Sequence, residues 1–173
     1  WRTGIFDALG NKIAESGMSA YPLGFGYDTR NRLAELQTVR DNESPDSTRW
    51  LVDFATGLVT CKVFTSGARL SYLFGASGKL AVRESPSGQE AHYAYTSAGR
   101  RASVSYTGTA FTHGVSNMWN GSLLARVDDA QGPRLYAYDG YGTLAGETNA
   151  FTSMTYAHDI FGRVTVLNVG ACY

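Results

Sequence analysis

The chain of 173 residues has no excess of either charge sign: 15 Lys plus Arg stand against 15 Asp plus Glu. Zero net charge removes the electrostatic case for a nucleic-acid or anionic-membrane partner. No apolar run approaches the roughly 20 residues that span a bilayer as a helix. Only two cysteines occur, Cys61 and Cys172, and no metal-ligand spacing. Cys61 reads as a small apolar strand residue, and a disulfide to Cys172 stays open as the alternative. The chain starts at Trp1 rather than Met, with no charged and apolar leader, and reads as a processed product or an excised piece.

Catalytic patterns are missing too. His92, His113 and His158 are scattered, and no G-x-S-x-G occurs. The stretch GASGK (75–79) departs from the phosphate-loop pattern G-x-x-x-x-G-K-[ST] and reads as a turn. G-G-x-G-x-D, the calcium-binding repeat, is absent as well.

What the chain has is glycine (20 residues), tyrosine (11) and a repeat. Aligning FDALGNKIAE, YDTRNRLAEL, VDFATGLVTC, FGASGKLAVR, YTSAGRRASV, NMWNGSLLAR, YAYDGYGTLAGETN and HDIFGRVTVL places Gly10, Asn31, Gly57, Gly78, Gly99, Gly121, Gly142 and Gly162 in one column. Successive intervals are 21, 26, 21, 21, 22, 21 and 20 residues. The long interval holds DNESPDS (41–47), which reads as an inserted surface loop.

The other columns carry a physical pattern. Four residues before the glycine stand Phe6, Tyr27, Phe74, Tyr95 and Tyr138; six before it stand Phe25, Tyr72, Tyr93, Tyr136 and Tyr156. Two after it come Leu33, Val59, Leu80, Leu123, Leu144 and Val164. Residues two apart on a strand share a face, so the aromatic rows line one side. His158 stands in the aromatic column, where it reads as a strand residue rather than a catalyst.

Asp7, Asp28, Asp139 and Asp159 each lie three residues before the column of Gly or Asn. Aspartate opens a type I turn, and its fourth position takes positive φ, which Gly adopts freely and Asn tolerates next best. Such a turn, closed by a residue of positive φ, is a common hairpin connection with a bulge. Each repeat of about 21 residues therefore predicts one β-hairpin, and the chain a meander of about sixteen antiparallel strands. Laid flat, those strands would measure about 77 Å, more than open twisted sheets sustain, so the sheet is expected to roll or close. NRLAELQTVR could pass for a helix but falls in register as a strand.

Recurrence once per repeat also argues against a paired-carboxylate active site, which would need two acids at one place. The cations Arg32, Lys79, Arg100 and Arg163, after the turn, read as a solvated edge. The tyrosine face (Tyr72, Tyr93, Tyr95, Tyr136, Tyr138, Tyr156) could hold sugars or unfolded peptide, although cross-strand packing explains it as well.

The pattern Y-x-Y-D-x-x-G-R-L, carried by FGYDTRNRLAEL, YLFGASGKLAVR, YAYTSAGRRASV and YAYDGYGTLAGETN, resembles the YD repeats of the RHS family. Gly75, Thr96 and Met118 depart from it at the aspartate, and Asn117 at an aromatic. The family includes bacterial RHS toxins, C components of insecticidal toxin complexes, and teneurins. The resemblance implies an all-β shell of hairpins that encloses another polypeptide, secreted or at a cell surface, without enzymatic activity, metal or cofactor. Its partners would be neighbouring repeats or an enclosed chain. The alternative it allows is a carbohydrate- or protein-binding module using the aromatic face. Residues 1–173 read as a single repeat domain, part of a longer shell, with no autoprotease motif of the kind that ends many bacterial members.

Overall fold

The computed structural model describes residues 1–18, 20–40, 44–108 and 114–171. All regular structure among them is β-strand, and the chain divides into two compact units, residues 1–89 and 90–173.

The first unit holds β1 (Arg2–Phe6), β2 (Lys12–Gly17), β3 (Ala20–Tyr27), β4 (Leu33–Thr38), β5 (Asp46–Val52), β6 (Val59–Phe64), β7 (Arg69–Phe74) and β8 (Leu80–Glu84). Each strand pairs antiparallel with the next in sequence. The segment with helical appearance is strand β4. Pairing to both neighbours, β3 and β5, decides that outcome over local helix propensity. The expected insertion at 41–47 is shorter than its sequence: Asp46 and Ser47 already belong to β5, opposite Thr38 and Gln37. Residues 41–43 lie outside the described residues.

The second unit repeats the plan with β9 (Glu90–Tyr95), β10 (Arg101–Thr107), β11 (Val115–Asn120), β12 (Leu123–Asp129), β13 (Gly132–Tyr138), β14 (Leu144–Thr148), β15 (Thr152–His158) and β16 (Val164–Ala171). Pairing is again sequential and antiparallel.

Each repeat is one hairpin, and the sequence columns become cross-strand pairs. Tyr27 faces Leu33, Phe74 faces Leu80, Tyr138 faces Leu144 and His158 faces Val164. Immediately behind each such pair the register slips, leaving one extra residue on the second strand: Ala34 in β4, Ala145 in β14. A slip of this kind occurs in every hairpin that closes a repeat, from β1–β2 to β15–β16. Among the described residues, the pairings β4–β5, β6–β7, β10–β11, β12–β13 and β14–β15 show none, and β2–β3 shows one. Bulges therefore concentrate at the aspartate-turn end of the hairpins, where they increase twist and bend the strand.

The core is thin. Cys61 in the first unit and Ala91 and Val104 in the second are the buried apolar residues among those described. No helix or second sheet layer covers a face of either unit among the described residues, so burial comes from neighbouring side chains on one sheet.

Candidate functional site: turns and tyrosine rows

The turns follow one hydrogen-bond scheme. At Asp139, its N–H donates to Thr143 O (2.9 Å) and the Gly142 N–H donates back to Asp139 O (3.0 Å). Asp139 Oδ1 accepts from the N–H groups of Tyr141 and Thr143, each at 2.9 Å. Asp7, Asp28 and Asp159 repeat this arrangement with acceptor distances of 2.8 to 3.0 Å. All eight residues of the glycine column have positive φ, including Gly78 (71°), Gly99 (77°), Gly142 (82°) and Gly162 (76°). Asn31, at φ 64°, is the one described non-glycine residue in that region.

Bonding to backbone N–H favours the charged carboxylate. Asp139 is held below the ordinary aspartate range chiefly by the Thr143 N–H, Asp159 by that of Arg163, and Asp28 by that of Arg32. For Asp7 the largest cause is the Asn11 side chain. Arg32 and Arg163 also return to their turn aspartates, Nε to Oδ2 at 2.7 Å in both. Arg100 instead donates to Gly121 O and lies 5.6 Å from the Trp119 ring.

Where the aspartate is missing, smaller groups do part of its work. The Thr96 hydroxyl accepts from the Arg100 N–H at 3.1 Å, while at Gly75 the backbone bonds Gly75 N–H to Lys79 O and Gly78 N–H to Gly75 O are kept. The sixth repeat departs from the expected turn. Asn120 pairs directly with Leu123, leaving a two-residue loop, Gly121–Ser122, with positive φ only at Gly121 (57°). That is the glycine-first pattern of a type II′ turn, so Met118 stands in the strand and not at a turn position.

Two turn anchors escape an alignment on one glycine per repeat. Asp53 lies four residues before Gly57 because its turn is one residue longer; it accepts from both N–H and hydroxyl of Thr56 at 2.7 Å. Asp129 anchors the β12–β13 connection, accepting from the Gln131 N–H at 2.8 Å, with Gly132 at φ 97°. The signal for the second was D-x-x-G at 129–132, half a repeat out of phase.

The tyrosines are half-buried on their strands. Tyr72 faces Arg83, Tyr93 faces Val104, Tyr95 faces Arg101, Tyr136 faces Glu147 and Tyr156 faces Leu167. Several hydroxyls are committed within the sheet. Tyr27 donates to Lys12 O and Tyr138 to Leu124 O, both at 2.9 Å, each reaching the second strand of the preceding hairpin. Tyr156 donates to Glu147 Oε1 at 2.9 Å, and that carboxylate pushes its phenol up. Tyr93 and Tyr95 in β9, and Tyr136 and Tyr138 in β13, stand two apart and so lie on one side of their own strand.

Among the described residues, His92 and His158 stand on separate strands, β9 and β15. His92 Nε2 is 2.8 Å from Glu90 Oε2, His158 stays in the aromatic column, and His113 lies outside the described residues, as does Cys172. Cys61 is buried in β6. No cluster of three metal-ligating side chains occurs among the described residues, nor does any helix long and apolar enough to cross a membrane.

No protein-family model and no curated protein matches the chain. Solved structures do. A chain of the Photorhabdus luminescens Tc holotoxin pore carrying the mutation TccC3-D651A matches with a TM-score of 0.58 at 13% identity, over 98% of this chain and 9% of that one. TcdB2-TccC3 without its hypervariable C-terminal region gives a TM-score of 0.62 at 11% identity, over 98% of this chain and 12% of that one. TcdB2-TccC3-Cdc42 gives 0.60 at 10% identity, with coverage of 98% and 13%. The chain thus spans about a tenth of the length of the solved chains it matches. At such identities the likeness is one of fold, and together with the Y-x-Y-D-x-x-G columns it gives the chain the hairpin fold of YD/RHS repeats.

Proposed function

We propose that this chain is a wall segment of a YD/RHS β-shell, part of a longer secreted or cell-surface protein that encloses another polypeptide. The observation that carries this reading is the bulge at the same end of every repeat hairpin. A recurring bend turns a strip of hairpins into a curved wall, because each repeat adds a similar increment. The fold shared with Tc toxin chains supports the same reading.

Its role is steric and non-enzymatic. Turn aspartates close each hairpin, the Tyr27 and Tyr138 hydroxyls tie their hairpins to the preceding ones, and the wall separates an enclosed chain from solvent and proteases. The sugar-binding alternative gains less support, since Tyr138 and Tyr156 already direct their hydroxyls into the sheet.

Protease protection tests the proposal. In the full-length protein the enclosed polypeptide should survive trypsin while the shell is native and be digested once urea unfolds it. Digestion at the same rate in both states would overturn the reading. Saturable glycan binding lost in Tyr93→Ala and Tyr136→Ala would instead favour the alternative.

A further inference from the structure

We propose that Asn120–Gly121 is a self-modifying site, at which Asn120 converts to aspartate and isoaspartate through a cyclic imide. It is the only Asn-Gly pair in the chain. The Gly121 nitrogen, after losing its proton to hydroxide, attacks Asn120 Cγ. The N–Cγ bond forms, the Cγ–Nδ2 bond breaks, and Nδ2 leaves as ammonia after taking up a proton. Water then adds to either imide carbonyl, and ring opening gives the aspartyl or the isoaspartyl product.

Three features of the structure favour the step here. Glycine presents no Cβ to the incoming carbonyl, and nothing lies within 4 Å of where one would stand on Gly121. Asn120 is exposed at the end of β11, where its pairing with Leu123 is the last rung of the hairpin. Terminal rungs open at low free-energy cost, so the side chain can swing onto the following nitrogen. Its amide also makes no hydrogen bond among the described residues.

The other asparagines supply internal controls. Asn11 and Asn31 bond reciprocally through their amides, and Asn11 also donates to Asp7. Asn149 Oδ1 accepts from Phe151 and Thr152, Asn117 donates to Arg101 O, and Asn168 donates to Thr155. The sharpest control is Asp139–Gly140. It has the same glycine successor and would isomerise through the same imide, but two backbone N–H groups hold its carboxylate in place.

Arg100 donates to Gly121 O, so an aspartyl product would put a carboxylate in the residue next to the one that this guanidinium binds. The sixth repeat is one that lacks a turn aspartate, and the aspartyl product would give it a nearby negative charge. An isoaspartyl product would instead add a methylene to the main chain, beside the groove that Asn120 shares with Leu123, Tyr136 and Tyr138.

The test is peptide mapping of the folded protein held at 37 °C in mildly alkaline and mildly acidic buffer, with isoaspartate labelled by enzymatic methylation. Asn120 should convert at least about tenfold faster than Asn149 or Asn168, because local opening controls access to the reactive geometry. Conversion should accelerate in alkali, and the isoaspartate label should vanish in Asn120→Gln. Equal rates at all three asparagines would overturn the proposal. So would conversion of Asn120 seen only in denaturant, or an isoaspartate label centred on Asp139.

Discussion

The Tyr138 hydroxyl donates to the Leu124 carbonyl at 2.9 Å, tying β13 to the strand before it. Tyr27 makes the same bond to Lys12 O in the first unit. The position four before the turn glycine is therefore more than an aromatic packing site: with tyrosine there, one hairpin is fastened to its predecessor. Tyr136, two residues earlier on the same face, has no hydroxyl partner among the described residues. Tyr138→Phe should lower stability by about 1 kcal/mol, the usual net worth of one hydrogen bond, and Tyr136→Phe should be near neutral. Urea denaturation of the two variants checks the difference.

Gly142 separates conformational strain from crowding. A Cβ added there would meet only Leu123 Cδ2, at 3.9 Å, so space is available. The cost of substitution then lies in the backbone, at φ 82°. Gly142→Val should destabilise by roughly 1–2 kcal/mol or more, whereas Gly142→Asn should cost less, as Asn31 in the same column suggests. Thermal melts showing equal losses would contradict this.

Acid should weaken the turns. Asp7, Asp28, Asp53, Asp139 and Asp159 all titrate below their ordinary range in the folded chain. A depressed folded pKa contributes stability above the unfolded value of about 3.9 and loses it as pH falls through the folded value. The urea midpoint should therefore drop between pH 5 and pH 2. Asp139→Asn combined with Asp159→Asn should flatten that dependence, as these changes remove two of the titrating anchors. An unchanged pH slope in the double variant would count against the turn account.

Asp53 and Asp139 test whether anchors are equivalent when turn length differs. Both carboxylates accept from turn donors, but Asp53 also holds the Thr56 hydroxyl. Asp53→Ala should increase hydrogen exchange at Thr56, and Asp139→Ala at Tyr141 and Thr143, each locally. Exchange spread evenly over both units would argue against local anchoring.

Much of this fold was legible in the residues because each repeat states the same plan. Tyr138, Asp139, Gly142 and Leu144 name a strand, a turn, its closure and the cross-strand partner, and Asn31 in place of glycine obeys the same rule. Legibility failed where a turn changed length. Asp53 slid one position out of its column, and the sixth repeat exchanged its four-residue turn for Gly121–Ser122. The Tyr138–Leu124 bond was invisible for another reason: it joins consecutive repeats, and a periodicity of side-chain types does not say where a hydroxyl points. The bulge behind each turn was legible too, because a type I turn closed by a residue of positive φ is a common hairpin connection with a bulge.

The proposed role makes these hairpins part of a closed wall. Electron cryomicroscopy of the full-length protein tests it most directly. Residues 1–173 should appear as consecutive strands of a continuous β-wall bordering an internal cavity, with the enclosed polypeptide inside. A map in which these strands pack face to face on another domain's core, with no cavity beside them, would contradict it.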